Sequence, residues 1–112
     1  MNVYDKAHEL ARAIMENPIY KNYKKALDSL NNNPENRRMV EDFRKKQLEL
    51  QMIELSGQKP DEQKISHLQK LYEILMANSE IKNFLESEMN FSKLMADIYK
   101  IISDTLGLGV QQ

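Results

Sequence analysis

NPENRRMVEDFRKKQLELQMIELSGQKP, residues 33–60, decides the fold. Asn33 and Pro34 open a stretch with no further Gly or Pro until Gly57. An Asn cap can accept a hydrogen bond from an amide left unpaired at a helix start, and Pro at the first helical position lacks the amide that would go unused there. The stretch reads as one helix of about 23 residues, roughly 35 Å long at about 1.5 Å per residue. A wheel turning about 100° per residue puts Met39, Val40, Phe43, Leu50 and Ile53 on one side and Leu48, Met52 and Leu55 nearly opposite. Two apolar stripes call for two burial partners.

Beyond this helix, Gly57 suits a left-handed cap and Pro60 suits the first turn of the next helix. That helix carries Ile65, Leu68, Tyr72, Leu75 and Met76 at helical spacing, and the two should pair as an antiparallel hairpin. Upstream, Val3, Ala7, Leu10, Ala11 and Ile14 trace one face of a short helix, and Ile19, Tyr23, Ala26, Leu27 and Leu30 trace a second. Downstream, the phase of Ile81, Phe84, Leu85, Phe91, Met95, Ile98, Ile102 and Leu106, interrupted by Glu88 and Ser92, predicts one long helix from Ser79, with Asn90 as the place for a kink. Asn17-Pro18 and Asn78-Ser79 repeat the Asn-led start of Asn33-Pro34. No stretch alternates apolar and polar residues between turn signals, so no strand is expected. The expected fold is all-α: a small helical bundle with a long antiparallel helical hairpin and a long C-terminal helix. It should form a single helical domain over 1–106 with a frayed tail over 107–112.

Composition narrows the function classes. The 112 residues suit one domain with a modest core. Sixteen Lys and Arg against 17 Asp and Glu leave no global field toward nucleic acid or anionic membrane. There is no cysteine, which removes disulfides, thiol catalysis and cysteine-held clusters. The start, MNVYDKAHEL, lacks the apolar core of a signal peptide, and no apolar run approaches the roughly 20 residues of a membrane span. A cytoplasmic chain without a membrane partner is expected.

Catalytic chemistry finds little to work with. His8 and His67 stand alone on their helices, without a partner at metal-ligand spacing. Glu41 and Asp42 precede Lys45 and Lys46 by four residues, the spacing of helix-surface ion pairs. The GLG at 107–109 has no strand before it and no helix after it, so it reads as a chain-end cap and not a phosphate loop. No catalytic residue, metal site or cofactor is expected, and the chain is read as a non-enzyme.

Surfaces remain as carriers of function. Leu48, Met52 and Leu55 are the expected self-association stripe, giving a homodimer. Arg37, Arg38, Arg44 and Lys45 lie on the same side earlier along the helix and form a candidate partner-binding basic strip. The arc of Leu94, Met95, Ile98, Ile101 and Ile102 also asks for more than one neighbour. Nucleic acid is the less favoured partner for the basic strip, because RNA platforms combine basic strips with planar side chains, and Tyr20 and Tyr23 alone do not make one.

The segments YDKAHELARAI (4–14), NPIYKNYKKA (17–26), EDFRKKQLELQ (41–51) and MNFSKLMADIYKIISDTL (89–106), with the helix order and the glycine-centred hairpin, resemble the YlbF/YmcA (Com_YlbF) group of small bacterial helical proteins. The likeness is greatest to its YheA-like branch and covers nearly the whole chain. The resemblance implies a helical, self-associating, non-catalytic regulator or adaptor acting through protein–protein contacts. For the YlbF and YmcA proteins it brings a complex with a third protein, linked to ribonuclease Y, mRNA processing, competence, sporulation and biofilm formation. An RNA-contacting adaptor linked to mRNA processing through the basic strip is the alternative. The iron–sulfur clusters connected with that complex are not carried over, because this chain has no cysteine.

Overall fold

The computed structural model describes residues 1–109, and those residues form five helices and no strand. They are α1 (Val3–Glu16), α2 (Pro18–Asn31), α3 (Pro34–Leu55), α4 (Glu62–Ala77) and α5 (Ser79–Leu106). The fold is all-α, as the breaker positions and apolar phases predict.

Asn side chains start most of these helices. The Asn2 carboxamide oxygen accepts from the Tyr4 amide at 2.8 Å, Asn17 from Ile19 at 2.8 Å, Asn33 from Asn36 at 3.1 Å and Asn78 from Ile81 at 3.1 Å. Asn17 and Asn78 also end the preceding helices, their own amides donating to the Ile14 and Leu75 carbonyls. One residue thus closes one helix and opens the next, which is why α1–α2 and α4–α5 need almost no linker. The start of α4 differs from expectation: Pro60 lies outside the helix, and Asp61 caps it by accepting from the Gln63 amide at 2.9 Å. An acidic cap satisfies an unpaired amide and the helix dipole together, whereas Pro60 could only spare an amide.

Glycine closes α3 and α5. At Gly57 (φ 84°) the amide donates to the Glu54 carbonyl, while Gln58 donates to Ile53. Gly107 (φ 73°) repeats the pattern, donating to Asp104 while Leu108 donates to Ser103. This paired bonding across a left-handed residue satisfies carbonyls that a helix end otherwise leaves unpaired. Of the tail expected to fray over 107–112, residues 110–112 lie outside the described residues.

Within the expected 1–106 span the chain gathers into two compact units: Leu27–Phe84, and Met1–Ala26 together with the stretch from Leu85 onward. The Leu27–Phe84 unit contains the antiparallel hairpin of α3 and α4, in which Phe43 meets Tyr72 with ring centroids 5.9 Å apart. Its core is Leu30, Val40, Phe43, Leu50, Leu75, Ile81 and Phe84, so one predicted side of α3 is buried. A buried polar link ties α3 to the start of α5. Asn36 Nδ2 donates to Glu80 at 3.2 Å, and Asn78 Nδ2 donates to Asn36 Oδ1 at 2.9 Å. Each carboxamide is satisfied, so this part-buried cluster sets register without an orphaned group.

The other unit is built differently. Phe91 stacks on Tyr23 with centroids 4.9 Å apart and meets Tyr20 edge-on at 5.6 Å. Such contacts add about 0.5–1.5 kcal/mol each beyond area burial. Among the described residues of this unit only Ala26 and Ser87 are buried. None of the residues of α1 is buried.

Candidate interaction surfaces

On α3 the side opposite the core carries both sequence-predicted sets. Leu48, Met52 and Leu55 keep 57%, 61% and 83% of their surface exposed. The stripe is therefore external to the core made by Val40, Phe43 and Leu50. Its neighbours Lys45, Glu49, Gln51 and Glu54 are exposed as well, so the stripe has a polar rim.

The four basic residues are placed on one side, but their charges are partly engaged. Arg37 Nε donates to Glu41 Oε1 at 3.1 Å. The Arg44 guanidinium lies 5.6 Å from the centroid of the buried Phe84 ring, within reach of a cation–π attraction. Arg38 and Lys45 are exposed. The second expected carboxylate pair is seen as Asp42–Lys46 at 2.8 Å. Ion pairs this exposed contribute little to stability, and their main effect here is to blunt a basic strip.

At the loop end of the hairpin a cleft of about 460 Å³ opens between α3 and α4, lined in part by Lys46, Glu49, Leu50, Asp61, Lys64 and His67. Its mixed charges and open rim could hold a small polar group, but no convergent set of ligands lines it. Among the described residues no group of three or more His, Cys, Asp or Glu is arranged to hold a metal ion. No described helix is long and apolar enough to cross a membrane.

The surface that sequence reasoning only touched lies in the unit of α1 and the second half of α5. Along one stripe of α5, Ile81 and Phe84 are buried at 0% and 2% exposure, Phe91 and Ile98 are half-buried, and Met95, Ile102 and Leu106 keep 39%, 46% and 64% exposed. Lys93, Asp97, Lys100 and Asp104 occupy the opposite side and pair with each other, Lys93 to Asp97 at 3.4 Å and Lys100 to Asp104 at 2.8 Å. The Asp104 hydrogen bond, aided by the Asp104 charge, raises the Lys100 pKa above the ordinary lysine value. The signal was present in the sequence as the arc through Leu94 to Ile102. What the sequence lacked was any statement of which neighbour covers it.

With these surfaces in view, the relatives can be compared. The family model described as control of competence regulator ComK, YlbF/YmcA, matches residues 3–107. The chain belongs to the YlbF/YmcA family. A UPF0342 protein of Caldicellulosiruptor saccharolyticus is 42% identical over 107 residues, covering 96% of this chain and 89% of the relative. Similar proteins of the same name occur in Symbiobacterium thermophilum, 35% identical with 93% of each chain covered, and in Halothermothrix orenii, 32% identical across 100% of this chain and 95% of the relative. A solved structure, a protein of unknown function (DUF964) from Bacillus stearothermophilus, superposes with a TM-score of 0.77 over 94% of this chain and 92% of its own, at 21% identity. That likeness shows the shared fold. The YlbF/YmcA description is regulatory and names no reaction.

Proposed function

We propose that this YlbF/YmcA-family chain is a non-catalytic regulatory adaptor that self-associates and acts through contacts with other proteins. The observation that carries the reading is the amount of ordered apolar helix surface left uncovered in a chain with a regulatory family description. Apolar patches of this kind, rimmed by polar residues, mark contact sites in soluble proteins.

The exposed stripe of Leu48, Met52 and Leu55 serves as a contact face, with Arg37, Arg38, Arg44 and Lys45 at its border. Three side chains are few for a lasting dimer, which needs roughly 800 Å² per partner. They suit a smaller, reversible contact with a polar rim, in which Arg and Met are favoured residues. The RNA-contacting alternative has less support. Arg37 is tied to Glu41, Arg44 lies over Phe84, and Tyr20 and Tyr23 are packed on Phe91 instead of offering open stacking faces.

Affinity capture from native cell extract with the wild type and a Leu48→Glu/Met52→Glu variant tests the adaptor role. Specific proteins retained by the wild type and lost by the folded variant are expected. Identical retention by both would remove the α3 stripe from the account. Retention that disappears on ribonuclease treatment would replace it with the RNA-contacting reading.

A further inference from the structure

We propose that the outer face of α3 binds one amphipathic helix of another protein, a helix with carboxylates towards one end and an apolar stripe towards the other. The proposal rests on the adaptor reading above and names the chemistry of the partner.

This face of α3 is polarised along its length. Arg37, Arg38, Arg44 and Lys45 occupy its earlier part with Glu41 as the one acid among them, a local excess of 4 − 1 = 3 positive charges in a chain of formal net charge −1. Asp42, further round the helix, is engaged by Lys46 at 2.8 Å. Leu48, Met52 and Leu55 follow, and the face from Arg37 to Leu55 runs about 27 Å. Arg37 is held by Glu41 and Arg44 lies over the Phe84 ring. Arg38 and Lys45 are exposed and make no ion pair or hydrogen bond among the described residues. Those two cations are placed to receive an incoming carboxylate.

Each half of the face excludes partners that the other half admits. A phosphate backbone or an anionic bilayer matches the cations, but the exposed Glu49 and Glu54 flank the apolar half and repel an extended anionic surface. An RNA strand also calls for planar faces on which its bases stack, and this face carries none. A wholly apolar partner leaves the cations unanswered. A helix about 10–12 Å across is narrow enough to meet the strip between the two glutamates. An exposed helix face has no backbone edge for an added strand, and an aliphatic stripe has no aromatic groove for a proline-rich segment. Helix against helix is the recognition mode left. Leu48, Met52 and Leu55 stand at the i, i+4, i+7 spacing of a helix contact, and the Met52 thioether adapts to differently shaped neighbours.

Phage display of peptides as long as the face tests the partner's chemistry. Leu is fixed at three helix-spaced positions in either the first or the second half, and all other positions are random. Selection on the wild-type chain should enrich Asp and Glu in the half away from the leucines. The enriched peptide, labelled, should bind at least about tenfold more weakly to Arg38→Glu/Lys45→Glu and to Leu48→Glu/Met52→Glu. Changing its carboxylates to Lys should restore binding to the first variant only. All four substituted side chains are exposed, so the helical spectrum should be unchanged. On the wild type itself the Met52 methyl NMR signal should shift on adding the peptide, while that of Met39, on the opposite side of α3, should not; this readout decides even where a variant unfolds. Enrichment of basic or uncharged peptides, no enrichment, or an unmoved Met52 signal overturns this inference alone, because the adaptor reading stands or falls on the capture experiment. Binding of the wild type to phosphatidylglycerol vesicles or to poly(U), lost in Arg38→Glu/Lys45→Glu, overturns it in favour of an anionic surface.

Discussion

Phe84 keeps 2% of its surface exposed and has the Arg44 guanidinium 5.6 Å from its ring centroid, so it carries both apolar and electrostatic contacts. Phe84→Ala should cost about 3–5 kcal/mol, and Leu50→Ala about 2–5 kcal/mol, in denaturant unfolding. A loss under about 0.5 kcal/mol at Leu50 would place the α3 core on the wrong side. Asn36 is a different kind of buried residue, donating to Glu80 and accepting from Asn78. Asn36→Ala should cost about 1–3 kcal/mol, because it leaves the Asn78 amide without its acceptor and Glu80 without its donor. Phe43 and Leu50 were legible from helical phase alone. The Asn36 cluster was not, because its partners lie 44 and 42 residues away and hydrogen bonds between distant positions leave no periodic trace.

At the scale of elements, the ends of helices are set by single residues whose physics is local. Gly57 adopts φ 84°, and beyond its own chain neighbours no atom lies within 4 Å of where a Cβ would stand. Gly57→Ala should therefore lower stability by about 1–2 kcal/mol through crowding of the new Cβ against its own backbone, with no clash against the rest of the fold. Thermal melts of Gly57→Ala and Gly57→Asn check this, since Asn tolerates the left-handed region and should lose less. Local signals of this type made Asn17, Asn33, Asn78 and Gly57 readable in advance. They failed at α4, where Pro60 was read as the first turn and Asp61 proved to be the cap. A proline and an acidic cap are both acceptable near a helix start, and one residue of offset lies within what local preference resolves. The uncovered state of α1 was out of reach for another reason. Its Val3, Ala7, Leu10, Ala11, Ile14 phase specifies a face that needs cover, while cover is a property of neighbours that phase does not name.

For the whole molecule, the two units differ in how far they satisfy themselves. Leu27–Phe84 holds nearly all the buried apolar residues, and the other unit holds exposed apolar stripes. A formal net charge of −1 and a partly self-paired basic strip should leave RNA binding weak. Titration with single-stranded RNA should give at most non-specific affinity, falling steeply with salt, and a tight, salt-resistant complex would favour the RNA-contacting reading. The central claim of the proposed function is that this chain works as an assembly of copies. Light scattering coupled to gel filtration of the wild-type chain tests it most directly. The account predicts a particle of twice the 13.2 kDa chain mass, 2 × 13.2 = 26.4 kDa, stable on dilution. A particle of 13.2 kDa at every concentration would contradict it.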